Sequence, residues 1–130
     1  MHAIDTNILV RLMTGDDTSQ HQIALRLFAT ENIFIPDSVV LETAWVLRAA
    51  YDLPPALICE GLTKVFGLAN VTVANGPQVA QAVAWHQAGL DFADAFHLSR
   101  SQGQESLKTF DRDFIKRAKS LGECRVEKPE

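Results

Sequence analysis

HAIDTNILVRLM, residues 2–13, is the stretch on which the reading of the fold turns. Residues 2–5 form a short apolar run that ends in an acid, Asp5, and read as a first strand. Residues 7–13 follow at once, with Ile8, Leu9 and Leu12 at helical spacing. A strand that passes directly into a helix is half of a βα unit, and the chain repeats the pattern.

After the Gly15-Asp16-Asp17 break, residues 18–30 read as a second amphipathic helix with Ile23, Leu27 and Phe28 on one side. Residues 32–35 are β-branched and aromatic, closed by Pro36, and predict a second strand. Asp37 or Ser38 can cap the helix that follows to about Tyr51, where Asp52-Leu53-Pro54-Pro55 stops it. Helix is predicted again over 56–66, strand over 71–73 and helix over 76–87. Beyond Gly89 come a helix over 91–102, a strand over 106–110, a helix over 111–121 and a short strand over 124–126. Strands alternating with helices imply an α/β fold, a three-layer α/β/α sandwich on a mostly parallel central sheet. No repeat, low-complexity segment or linker interrupts it, and 130 residues suit one domain, 1–130.

Composition narrows the class. The chain is 47% hydrophobic and 22% charged, which fits neither a disordered nor a membrane protein. No apolar run approaches the roughly 20 residues a membrane helix needs, and no secretion signal is evident. A cytoplasmic location is expected. Cys59 and Cys124 lie far apart and read as two buried or indifferent thiols. His2, His21, His86 and His97 fall in separate segments without HxxxH or HExxH pairing, which argues against zinc. Trp45 and Trp85 read as core anchors, with an interface as the alternative for Trp45.

The net charge of −4 conceals an asymmetry. Residues 1–94 carry four basic and ten acidic side chains, a net of −6; residues 95–130 carry eight and six, a net of +2. Arg112, Lys116, Arg117 and Lys119 fall in one predicted helix. They form either a solvated face or a patch that meets phosphates.

In an open parallel sheet, chemistry sits beyond the carboxyl ends of the strands. Asp5 ends the first strand. Glu42 lies just over one turn into the helix after the second. Asp91 and Asp94 open the helix after Gly89, three residues apart and so on one face. Asp111 and Asp113 follow the fourth strand. Any one of these acids could simply cap a helix. Four segments agreeing is better explained by a shared site. Carboxylates crowded together raise one another's pKa, and a hard divalent cation removes that cost; oxygen ligands suit Mg²⁺ or Mn²⁺.

At these residues the chain resembles the PIN-domain family, and more narrowly the VapC-type ribonuclease toxins of toxin–antitoxin pairs. AIDTNILVR (3–11), VVLETAWVLR (39–48), GLDFADAFHLSRSQG (89–103) and TFDRDF (109–114) carry the resemblance, in the family's order and spacing over essentially the whole chain. It implies a metal-dependent endoribonuclease with Asp5, Glu42, Asp94 and Asp111 as catalytic metal ligands. Asn7 or Thr6 would orient neighbouring acids. Asp91 would be a cap or supporting acid, Thr109 a small hydroxyl near the site, and Asp113 the alternative to Asp111. On the phosphate-patch reading of the charge, Arg112, Lys116 and Arg117 would face RNA. The family's mechanism uses water as nucleophile, so no Ser, Cys or His nucleophile is required. A homodimer and a cognate antitoxin are implied as well.

Three other readings compete. A receiver-like signalling domain has similar size, with Asp52-Leu53-Pro54 and Lys108-Thr109 superficially in place. Residues 43–51 read as helix rather than as a buried strand leading to Asp52, however, and the first strand ends in a single acid. A catalytically silent PIN-like binding domain would lose core acids, and here all four positions are filled. A PIN nuclease of RNA processing, outside any toxin–antitoxin pair, would carry the same site; the compact size favours the toxin.

Overall fold

β1 (His2–Ala3) hands over to α1 (Thr6–Thr14) through Ile4 and Asp5, whose side chain caps the helix. A computed structural model describes residues 1–130, and the chain divides into two compact units, Met1–Gly76 and Pro77–Glu130.

In the first unit α1 is followed by α2 (Thr18–Thr30), β2 (Ile33–Ile35), α3 (Asp37–Ala49), α4 (Pro55–Phe66) and β3 (Val71–Val73). The strands form a parallel sheet in the order β1-β2-β3, with His2 opposite Ile33 and Ile33 opposite Val71. Ile33 and Ile35, alternate residues of the central strand, are fully buried on one face. Leu9, Val40, Leu47, Ile58 and Leu62 are buried with them, one stripe from each surrounding helix. Pro55 stands at the first position of α4, where its missing N–H leaves no intrahelical bond unmade. The α3 helix running through residues 43–49 leaves no strand before Asp52, against a receiver-like fold.

The second unit holds α5 (Gly76–Gln87, which begins at the boundary), α6 (Phe92–Arg100), β4 (Ser106–Lys108), α7 (Arg112–Arg117) and β5 (Arg125–Glu127). β4 and β5 pair in parallel, Leu107 opposite Val126. Val79, Ala82, Trp85, Phe92, Phe96 and Leu98 are buried, with Phe92 edge-on to His86. The chain is therefore a helix-rich α/β protein whose strand pairs are all parallel.

Several expectations need correcting. The predicted strand over 106–110 stops at Lys108, and the last helix ends at Arg117 rather than Leu121. Lys119 thus lies outside the helix that holds the other three cations. The cause is tertiary: Ser120 and Gly122 take left-handed φ values of 70° and 69°. Gln102 Oε1 then accepts from the backbone N–H of Glu123 at 3.0 Å and draws the chain aside. Neither Asp37 nor Ser38 caps α3; Pro36 holds that position without a side-chain bond, and Asp37 is the first helical residue. Ile23 is exposed, leaving Ala24 and Phe28 as the buried positions of α2. Trp85 is a core residue as expected, but Trp45 is 68% exposed on α3. Cys59 and Cys124 are buried thiols outside any disulfide. No helix is long and apolar enough to cross a membrane.

Candidate active site

The first unit contributes two acids of different character. Asp5 sits in extended backbone between β1 and α1, and its Oδ1 accepts from the N–H of Ile8 at 3.2 Å. A cap engages one carboxylate oxygen, and Oδ2 of this exposed side chain makes no hydrogen bond. Glu42 projects from the second turn of α3, and its Oε1 accepts a hydrogen bond from the hydroxyl of Thr6. Thr6 is buried at the first turn of α1, so a fixed donor on one helix orients an exposed carboxylate on another. Asn7, the residue expected first in this role, is exposed and makes no side-chain hydrogen bond, so the role falls to Thr6. Asp37 accepts from Asn75 Nδ2 at 2.9 Å, just beyond β3.

In the second unit Asp91 caps α6, its Oδ2 accepting from the N–H of Asp94 at 3.1 Å. That geometry sets Asp94 in the first turn, partly buried. Its carboxylate has neither a hydrogen bond nor an ion pair. Partial burial, then the charges of Asp91, Asp111 and Asp113, push the Asp94 carboxyl above its usual value, with only His97 opposing.

TFDRDF is held as firmly. The N–H of Thr109 donates to the carbonyl of Glu127 at 3.1 Å, and Thr109 Oγ1 accepts from the N–H of Asp111 at 3.0 Å. Asp111 Oδ1 accepts from the N–H groups of Asp113 and Phe114, capping α7, and Oδ2 makes no hydrogen bond. Asp113 is spent differently: its Oδ2 meets Arg117 Nε at 2.9 Å in an i,i+4 ion pair. Arg117 reaches the carbonyl of Gly89 at 3.4 Å as well. Of the expected RNA-facing cations, Arg117 is thus engaged, while Arg112 and Lys116 are exposed and unpaired.

These donors suit a hard divalent cation by their chemistry. Every one is an oxygen, Asp5, Glu42 and Asp111 each keep one carboxylate oxygen unbonded, and Asp94 lies uncompensated among like charges. Nowhere, though, are three Asp, Glu, His or Cys side chains gathered so as to hold an ion as they stand.

The sequence model of the PIN domain matches residues 3–120. The chain belongs to the PIN-domain family. That family comprises nucleases, RNA-cleaving hydrolases among them. The match takes in residues of both units and all four strings that carry the resemblance. Among solved structures the chain is similar to VapC20 of Mycobacterium tuberculosis, described as a sarcin–ricin loop cleaving toxin. The two are 22% identical, the alignment covers 95% of this chain and 98% of that one, and the TM-score is 0.43. No curated protein sequence matches.

As a PIN domain the chain has one feature that sequence reasoning missed. Phe110, read as part of a strand, stands outside it and is 83% exposed. The signal lay in Thr109 and Asp111, whose side chains form turns with nearby backbone N–H groups and so end strands.

Proposed function

We propose that this chain is a metal-dependent endoribonuclease and the toxin of a type II toxin–antitoxin pair. Asp5, Glu42, Asp94 and Asp111 form its ligand set for Mg²⁺ or Mn²⁺. The observation that carries the reading is Asp94, a partly buried carboxylate with no partner and only acids for close company apart from His97. Such a group is costly in a fold unless a cation joins it. Asp111 is preferred to Asp113 as the fourth acid because Arg117 already neutralises Asp113.

When bound, the ion supplies Lewis-acid stabilisation of charge developing on a phosphodiester and eases the deprotonation of water. The chain's own residues prepare for that. Asp5 and Asp111 are pinned by their capping bonds, each through one oxygen, with the other left for a ligand. Thr6 holds Glu42, and Asp91 fixes the turn that carries Asp94. Arg112 and Lys116 have free charge for the RNA backbone.

We take residues 1–130 as one nuclease domain acting in the cytoplasm, since the family match runs through both units. A homodimer and a cognate antitoxin complete the proposal. Both follow from the toxin resemblance, and exposed Trp45 is the kind of aromatic that interfaces employ.

The test is cleavage of a mixed RNA pool by the purified chain, with Mg²⁺ or Mn²⁺ and with EDTA, beside Asp5→Asn and Asp94→Asn. Cleavage that needs metal and disappears in both variants is expected. Absence of cleavage by the folded, antitoxin-free chain would favour a silent binding domain. Expression alone should arrest growth, and co-expression of the neighbouring gene should relieve it. An active nuclease that arrests nothing would belong to RNA processing instead.

A further inference from the structure

Phe110 is the most exposed large hydrophobic side chain of the molecule, above Met1 at the terminus and Trp45. Its backbone is not a loose tip. Thr109 on one side is tied to β5 through Glu127, and Asp111 on the other is bonded to Thr109 and caps α7. The ring makes no aromatic contact, and the chain around it, from Lys108 to Asp113, holds no other apolar side chain. A protein interface needs a contiguous apolar patch, and Phe110 is the only large hydrophobic side chain exposed in Pro77–Glu130.

What stands here is an aromatic ring, a carboxylate and an unpaired guanidinium at three consecutive positions, 110, 111 and 112. A ring face suits a flat apolar group, and a guanidinium suits a phosphate. The two groups, two residues apart, suit a nucleotide whose base is unpaired, since in a duplex base faces are hidden by stacking. We propose that Phe110 is the stacking platform for an unpaired base of the RNA, beside the phosphate that Arg112 meets. The proposal rests on the ribonuclease reading above. Phe110 acts through binding and positioning, not on the reacting atoms.

The experiment measures RNA binding in an Asp94→Asn background with Mg²⁺, by anisotropy of a labelled mixed-sequence single strand and of the same strand annealed to its complement. Phe110→Ala and Phe110→Leu should each weaken single-strand binding on the order of ten-fold, as loss of a base–aromatic stack does. Phe110→Tyr, which keeps the ring, should retain it, and binding of the duplex should not change. With Asp94 intact, Phe110→Ala should raise KM for the single strand and leave kcat in place. Unchanged binding and KM in Phe110→Ala would overturn the stacking role while leaving the nuclease standing. Equal losses on single strand and duplex would overturn it too. Failure of the native chain to cleave any RNA would overturn both readings together.

Discussion

Among single residues, Thr6 is the one whose role the structure sharpens most. The resemblance put Asn7 first for this role and Thr6 second, and deciding between them requires the rotation of α1 about its axis. The helix turns Thr6 inward to donate to Glu42 and leaves Asn7 in solvent. Thr6→Val should therefore lower activity and metal affinity about ten-fold, the smaller end of what loss of a ligand-orienting bond does. Asn7→Ala should change both less; comparable losses in the two variants would remove Thr6 from this role. Asp94 makes a pH prediction. Its carboxyl is raised by burial and by neighbouring acids, so its contribution to stability is full below the ordinary carboxylate range. That contribution is lost as pH rises through the raised value and the charge appears. Metal-free Asp94→Asn should thus melt a few degrees above the native chain at pH 7. The gap should close in acid, where Asp94 is protonated. Melting curves across that range test it.

The helices of the first unit were legible as elements because apolar residues recur at their period; the turns that join them were less so. The break after α1 contains a clasp that spacing could not reveal. Asp16 accepts from the Tyr51 hydroxyl at 2.6 Å, from Thr14 at 2.9 Å and from Arg11 at 2.9 Å, joining the α1–α2 turn to the end of α3. Those bonds, Tyr51's foremost, hold its carboxyl below the usual range. Its stabilising effect is present above the unfolded value and fades as pH falls through the lowered one. Asp16→Asn should lower Tm at pH 7, and the deficit should vanish at strongly acid pH; a deficit independent of pH would mean that the charge contributes nothing. The end of α7 was illegible for a similar reason. Ile115, Ala118 and Leu121 keep helical spacing, yet Gln102, a residue of another segment, captures the N–H of Glu123. A Cβ at Gly122 would meet Gln102 Oε1 at 2.6 Å in a backbone already at φ +69°. Gly122→Ala should accordingly cost about 1–3 kcal/mol, the usual range for such strain, read as a fall in the denaturation midpoint.

For the whole molecule, Asp5, Glu42 and Asp111 were visible in the sequence because each follows a strand, and a parallel α/β fold places chemistry at strand ends. Asp94 opens a helix that follows another helix, and only its string GLDFADAFHLSRSQG marked it. What the sequence could not carry is how each acid is spent. Asp5, Asp91 and Asp111 cap helices, Asp113 pairs with Arg117, and Asp94 alone keeps both oxygens free. The proposed ligand set draws Asp5 and Glu42 from Met1–Gly76, and Asp94 and Asp111 from Pro77–Glu130. This division has a thermodynamic signature. An ion that binds only the folded chain stabilises it by about 2.7 kcal/mol at a hundred-fold excess over Kd, several degrees of Tm for a chain of this size. One ion shared by both ligand pairs requires that Asp5→Asn and Asp94→Asn each abolish most of the Mg²⁺-dependent rise, although they lie in different units. A rise that survives Asp5→Asn but not Asp94→Asn would confine the ion to the second unit and make Asp5 no more than the cap of α1. Because the readout is melting rather than cleavage, it tests the ligand set whichever RNA the protein cuts.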